Sequence, residues 1–580
     1  MLTDDPSREE ELVQPPDANI ARRLDETAAA FPDMPATVVL GKSANAEPDV
    51  MTFAELAKEA AAFARGLAEL GAGPGQRIVL AVKPGREFLP IVFGLFRTGA
   101  TAVLIDPGMG AKNAVACLEE AEVDGVVGIP LAQVMRRMKR SAFRRSRLNV
   151  CVGRRLPGLG RSYASVLKRG QRSEIALPNT AATDRAAIIF TSGSTGPPKG
   201  VCYEHGMFDA QWQFIRNEYD IQPGTRDVAC FPLFGLFNVA MGVTTIWPNI
   251  DYARPAVATP NSLLAAIQGN DNETPHQAFA SPAIWKTLAS QSAADPNARI
   301  SVTRALSAGA PVPPETLAAV RAMMPPDATF HTPYGATESL PACTIESREV
   351  LDETASLTRE GHGTCVGRPF AGVDVAVIRR PGREVSSMIE VTQAATGEIG
   401  EVIVRSPAVT REYFNRPDAT AASKLHDDDG TFWHRIGDVG YFDDAGRLWF
   451  CGRISHIVET AAGPLYPVQL EAVFSQHKAC EQCAVVGRGG SGEQMPVLVV
   501  NLSQPAPRGV MVADRVRGIL RHGQSSPVTQ PVRHAVVATR PLPVDSRHNA
   551  KIRREQIAAE LDFSRVISLD DASSGTANSD

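Results

Sequence analysis

The stretch "RIVLAVKPGREFLPIVFGLFRTGATAVLIDPG", residues 77–108, decides the fold class. Its two ends are short, unbroken runs of Val, Ile and Leu, and its middle is an apolar segment of helical length. Such runs are too continuous for a sheet with one wet face, so they predict strands buried on both sides. Strand, helix and strand in this order make a βαβ unit in a parallel sheet, which places the chain in the α/β class. The apolar middle stops at Arg97 and Gly99, well short of the ~20 residues a membrane-spanning helix needs.

A second buried strand, "AAIIF" (186–190), runs into "TSGSTGPPKGV" (191–201). The loop is not of the Walker type, because Gly196 is followed by Pro197 and Pro198 before Lys199. Phe208, Trp212, Ile215 and Tyr219 then recur at helical spacing, so the loop is expected to join a strand to a helix. Small residues expose backbone N–H groups and hydroxyls at such a turn, and Lys199 adds a cation, which together suit phosphate oxygens. A polar surface linker shares this composition, but the preceding strand and the lysine favour phosphate.

With 580 residues the chain exceeds what one core organises. The expected architecture is a mobile tail (1–18), a large domain of parallel and mixed sheets with helices (19–452), a small mobile α+β domain (453–568) and a second tail (569–580). Three short strands, "EQCAVVG", "PVLVVNL" and "HAVVATR", with the amphipathic "VADRVRGILRHG" between the last two, define the small domain. A net charge of -5, from 59 basic and 64 acidic residues, supplies no field for nucleic acid. Nine cysteines without an even framework suit a reducing cytoplasm. The single C-x-x-C, Cys480 and Cys483, lacks a second ligand pair. The acidic beginning has no apolar signal segment.

Four further segments accompany the loop: "SAGAP" (307–311), "TPYGATES" (332–339), "RIGDVGYF" (435–442) with "CGR" (451–453), and "RHNAKI" (547–552). In this order the chain resembles the adenylate-forming superfamily of acyl-CoA synthetases, peptide-synthetase adenylation domains and luciferases, over about residues 20–560. The resemblance implies ATP and Mg²⁺ as cofactors and a carboxylate attacking the α-phosphate. Two anions then meet, so cations and oriented donors are required. By resemblance, Thr191, Ser192, Gly193, Ser194, Thr195, Gly196 and Lys199 wrap the β- and γ-phosphates. Glu338 holds Mg²⁺, a hard ion that prefers oxygen. Thr337 bonds the α-phosphate; Tyr334, with Gly335 and Ala336 beside it, lies against adenine; and Gly309, Ala310 and Pro311 line that slot. Asp438 accepts the ribose hydroxyls and Arg453 reaches the ribose or phosphates. Lys551, on the small domain, is expected to swing in and bridge carboxylate and α-phosphate.

The second half-reaction is read from departures. Val544 to Lys551 lacks the glycine turn of CoA ligases, Ser455 replaces the usual hinge Asp or Lys, Ala462 stands where those enzymes place glycine, and Gly235 ends "PLFG" in place of "PLFH". The variants "VETA-x-GPLY", "D-x-RHNAKI" and "TPYGATE-x-LP" resemble the β-lactone synthetases of bacterial long-chain olefin biosynthesis. That resemblance implies a long-chain 2-alkyl-3-hydroxy acid substrate, closed by its own hydroxyl with loss of AMP, and assembly with other olefin-pathway enzymes. A fatty-acyl-CoA ligase is the alternative within chemistry, a catalytically silent nucleotide-binding scaffold the alternative outside it. Closure needs a proton acceptor, for which His205 and His548 are the motif-borne candidates. Phe234, Phe237 and Trp285 are candidate alkyl contacts. The basic run "LAQVMRRMKRSAFRRSR" (131–147) carries Leu131, Val134, Met135 and Met138 on one stripe, which suits an anionic membrane or acidic partner, or a solvated helix face. A cytoplasmic protein, soluble or peripherally membrane-associated, is expected.

Overall fold

The computed structural model describes residues 19–41, 46–154, 158–191, 197–252, 258–268, 275–295, 298–503, 510–544 and 552–570. Strands Arg77–Ala81 and Thr101–Ile105 pair in parallel, joined by helix Phe88–Arg97, as residues 77–108 predict. Every residue of that helix from Phe88 to Phe96 is buried. A helix apolar all round can sit only inside the protein, and this one packs on helix Phe53–Ala68 and under helix Ile20–Ala30.

Three large sheets build the first 450 residues. The first runs Arg161–Ser162, Leu148–Cys151, Gly125–Gly128, Arg77–Ala81, Thr101–Ile105, Arg185–Thr191, Lys199–Glu204. It is parallel up to the last pair, which is antiparallel with Thr191 opposite Lys199. This corrects the expectation of a strand-to-helix loop: the Gly/Ser-rich loop is a hairpin connection, and helix His205–Glu218 follows the second strand. The Lys-Gly start of "KGVCYE" reads as loop, yet Val201, Cys202 and Tyr203 are buried. The open edge of this strand is covered by residues 412–414, through Cys202 N–H to Glu412 O and Phe414 N–H to Gly200 O.

The second sheet, Thr329–His331, Arg304–Ser307, Gln277–Ala280, Arg226–Ala229, Thr244–Trp247, Pro35–Val39, Asp49–Thr52, is likewise parallel except at its last pair. The third is antiparallel; its long strand Phe432–Phe442 pairs with Leu448–Arg453 so that Asp438 lies directly opposite Arg453. Beyond it, Cys480–Arg488, Met495–Leu502 and His534–Val537 form a separate sheet with helix Val510–Gly523 between the last two strands, and Ile567–Ser568 adds a short edge. Cys480 and Cys483 are buried within the first of these strands. Among the described residues no helix is long and apolar enough to cross a membrane.

Candidate active site

The carboxyl ends of both parallel sheets open toward the third sheet, and the space between them is a cavity of about 2740 Å³. Crevices at strand carboxyl ends are where open α/β sheets bind ligands. Lys199, Gly309, Ala310, Pro311, Tyr334, Gly335, Ala336, Thr337, Glu338, Asp438 and Arg453 all line it. These come from five separate segments of sequence, so the fold gathers what the motifs predicted.

Asp438 is the best-defined group. Its side chain is 5% exposed, with one oxygen 2.8 Å from Arg453 Nε and the other accepting the Tyr334 hydroxyl at 2.6 Å. Strand register makes the first contact, since Asp438 and Arg453 are cross-strand partners. The Asp438 carboxylate raises the pKa of the Arg453 guanidinium, so the guanidinium keeps its charge. Burial, and then the same carboxylate, raises the Tyr334 phenol far above its usual range, so it remains a donor. A fixed carboxylate with lone pairs to spare is what a diol requires.

Glu338 lies four positions after Tyr334 in "TPYGATES". Its Oε1 accepts the Tyr413 hydroxyl at 2.7 Å, and its carbonyl accepts the Thr410 backbone N–H at 2.9 Å. Lys199 Nζ sits 4.8 Å over the Tyr413 ring, so a cation stands beside the carboxylate. Tyr203 donates its hydroxyl to the Thr337 carbonyl, fixing the turn. Among the described residues no group of three or more His, Cys, Asp or Glu could hold a metal. One carboxylate at the cavity wall fits Mg²⁺ nonetheless, because that ion keeps water and substrate oxygens as its other ligands.

Tyr413 was not anticipated from sequence, nor was a buried pair behind it. Lys424 Nζ donates to the Thr410 carbonyl and lies 3.0 Å from His434 Nδ1. Burial pushes the lysine pKa down to about 7 and the His434 pKa well below its usual value. Residues beyond the third sheet also contribute: His456, Ile552, Arg553, Arg554 and Glu555 line the cavity. His456 Nε2 is 2.8 Å from Glu555, and Arg554 pairs with Glu471. Only "CGRISH" hinted at His456, as a neighbour of Arg453.

Other expectations are redirected. His205 does not reach the cavity: its ring is fully buried, edge-on to Phe96 at 5.5 Å, with neither nitrogen hydrogen-bonded. Burial drives its pKa down to about 4. It opens its helix on the inner side and packs as a core residue. Trp285 is also core, giving its indole N–H to the Leu306 carbonyl at 3.1 Å and packing on Phe330. Phe234 and Phe237 do line the cavity, and Phe234 stacks on Phe279 with centroids 4.3 Å apart. Ser192, Gly193, Ser194, Thr195, Gly196, His548 and Lys551 lie outside the described residues, as does the Thr191 side chain. Ile552, immediately after Lys551, is already at the cavity wall.

This geometry defines a nucleotide-dependent enzyme of the adenylate-forming kind, and the comparisons agree. Residues 24–414 match the AMP-binding enzyme family, to which the chain belongs. It is 44% identical over 552 residues to an olefin β-lactone synthetase of Xanthomonas campestris pv. campestris, covering 93% of this chain and 97% of that one. A Stenotrophomonas maltophilia protein of the same description is 42% identical over 549 residues, with coverage of 93% and 97%. Among solved structures, O-succinylbenzoate coenzyme A synthetase from Bacillus subtilis, in complex with ATP and magnesium ion, aligns with a TM-score of 0.70 at 20% identity, covering 92% and 98%.

Proposed function

We propose that the chain is an ATP- and Mg²⁺-dependent olefin β-lactone synthetase. A long-chain 2-alkyl-3-hydroxy acid attacks the α-phosphorus of ATP through its carboxylate, giving acyl-AMP and pyrophosphate. The substrate's own 3-hydroxyl oxygen then bonds to the activated carbonyl carbon, its proton is lost, and AMP departs, leaving the four-membered lactone. The observation that carries this reading is identity above 40% with two olefin β-lactone synthetases across 93% of the chain.

The site residues support it in detail. Asp438 would accept the ribose hydroxyls while Arg453 and Tyr334 hold its carboxylate in place. Mg²⁺ would sit at Glu338 and shield the triphosphate charge. Lys199 would neutralise phosphate oxygens from the hairpin side, and Thr337 would reach the α-phosphate. Gly309, Ala310 and Pro311 would line the adenine slot. Residues 453–568 would act as a lid pivoting on 19–452, delivering Lys551 to the attacking carboxylate in the closed state. The enzyme would work in the cytoplasm, in assembly with the enzymes that supply its acid and consume its lactone, and in peripheral contact with anionic membrane through 131–147.

Purified protein incubated with ATP, Mg²⁺ and a 2-alkyl-3-hydroxy acid is expected to yield, without coenzyme A, a product lighter than the acid by one water. Strict dependence on coenzyme A would overturn the reading in favour of an acyl-CoA ligase. Lys551→Ala is expected to lose acid-dependent exchange of pyrophosphate into ATP while keeping its melting temperature, since a lid lysine contributes little to folding.

A further inference from the structure

Helix Pro130–Met138 and the turn after it serve no purpose in the site above, yet they form one wall of the same cavity. Leu131, Met135 and Phe143 line it there together with Met109, Ala114 and Leu118. The same stripe of the helix runs out to solvent: Leu131 is 64% and Met138 73% exposed, among the most exposed large apolar side chains described. Single exposed apolar residues are ordinary, but Leu131 is exposed and lines the cavity at once, so this wall of the cavity reaches the surface.

The charge around them is compensated only in part. The nearby acids are Glu119, Glu122 and Asp124; Glu122 and Asp124 are taken by Arg144 and Arg145, and Glu119 accepts the Ser141 hydroxyl. Arg136 and Arg137 donate to neutral oxygens, of Gln133 and Gly158. Together with Lys139, Arg140 and Arg147 they pair with no carboxylate among the described residues. A cationic collar around protruding apolar side chains, on a short amphipathic helix, complements an anionic bilayer, where the chains enter the acyl boundary and the cations meet headgroup phosphates.

We propose that this helix and turn dock on an anionic lipid surface and form the port through which the substrate's alkyl chain passes between membrane and cavity. The proposal rests on the reading of a long-chain acid substrate, but docking can be measured without any chemistry. A long-chain acid partitions into lipid, so a cavity opening at the bilayer spares it transfer through water.

The test is flotation of the full chain with vesicles of phosphatidylcholine alone, and with an equal share of phosphatidylglycerol. Wild type is expected to bind the anionic vesicles and to be released by salt. The triple variant Met138→Glu, Lys139→Glu, Arg140→Glu, whose residues do not line the cavity, is expected to bind more weakly by at least about tenfold. It should turn over a short, water-soluble 3-hydroxy acid as wild type does, while losing turnover of a long-chain acid embedded in vesicles. Ala132 also lines this wall, and Ala132→Trp, melting as wild type does and still using the short acid, is expected to bind vesicles normally and lose the long-chain substrate. Wild type that floats with neither vesicle overturns the proposal and leaves the collar to an acidic protein. A triple variant that binds as wild type does overturns it as well, and Ala132→Trp with unchanged long-chain turnover removes the port. Normal flotation by a protein that makes no lactone would instead count against the proposed reaction alone.

Discussion

The role given to Asp438 is most sharply tested by Asp438→Asn, which preserves shape and removes charge. In the structure the two carboxylate oxygens hold Arg453 Nε at 2.8 Å and the Tyr334 hydroxyl at 2.6 Å. An asparagine can keep both contacts by giving its oxygen to Arg453 and its amide N–H to the Tyr334 oxygen, so the site should still fold. It cannot then accept from both ribose hydroxyls, because its nitrogen is only a donor. The loss is one charge-assisted hydrogen bond and one mismatched donor pair, together about 2–4 kcal/mol, or roughly 30- to 800-fold in nucleotide affinity. Titration calorimetry with Mg²⁺–ATP reads this directly, and 2′-deoxy-ATP completes a double-mutant cycle. Wild type should prefer ATP to the deoxy form, whereas Asp438→Asn should bind both with similar weakness. If the variant, with unchanged melting, binds ATP within about threefold of wild type, or discriminates as wild type does, the diol contact lies elsewhere.

Tyr413→Phe removes the hydroxyl that holds Glu338 Oε1; the Mg²⁺ concentration for half-maximal pyrophosphate exchange should rise about 5- to 30-fold at unchanged expression and melting. Asp227 is buried with one oxygen on Asn238, and burial pushes its carboxyl up to about 7. A raised folded value favours the folded state at low pH and is lost as pH climbs through 7, so denaturant unfolding should show wild type losing about 2 kcal/mol between pH 5.5 and 7 relative to Asp227→Asn. Lys424 works in the opposite direction: its folded pKa is depressed to about 7, so stability present at high pH is lost as pH falls toward 7, and Lys424→Met should flatten the alkaline limb in the same unfolding series.

How far the sequence reaches depends on the range of the interaction. The βαβ unit of residues 77–108 is legible because burial on both faces leaves its mark in every residue of the run. Residues 199–204 are not, because a lysine and glycine open the strand and its pairing is decided by the hairpin and by the cover from 412–414. The site follows the same division. Tyr334, Glu338 and Asp438 sit in the motifs that carry the family resemblance, and the fold brings all three to one cavity. Tyr413 reaches Glu338 across 75 positions of sequence, and an isolated tyrosine in "REYFNRP" reads as packing. His205 and Trp285 fail for the converse reason: residue type made them eligible, but only the direction of a helix face decides whether a ring meets a cavity or a core.

Gly235 shows that one departure from the CoA-ligase pattern is a packing constraint and not an isolated loss. A Cβ at this position would stand 2.7 Å from the Trp247 ring, closer than any real contact allows. Trp247 in turn is fixed edge-on to Phe88 at 5.8 Å and to Tyr252 at 6.2 Å, and with Phe234 it lines the cavity. The histidine that CoA ligases carry here therefore cannot coexist with this aromatic wall. Ala462 differs: it lies exposed in the turn between Val458–Thr460 and Gly463–Leu465, where a glycine would disturb no packing. Gly235→His should accordingly displace Trp247, cost about 1–3 kcal/mol of stability and slow turnover of long-chain acids without creating thioester synthesis. If the variant melts as wild type does and makes acyl-CoA, the aromatic wall is not what separates this site from a CoA ligase, and the departures near Lys551 must carry that distinction alone.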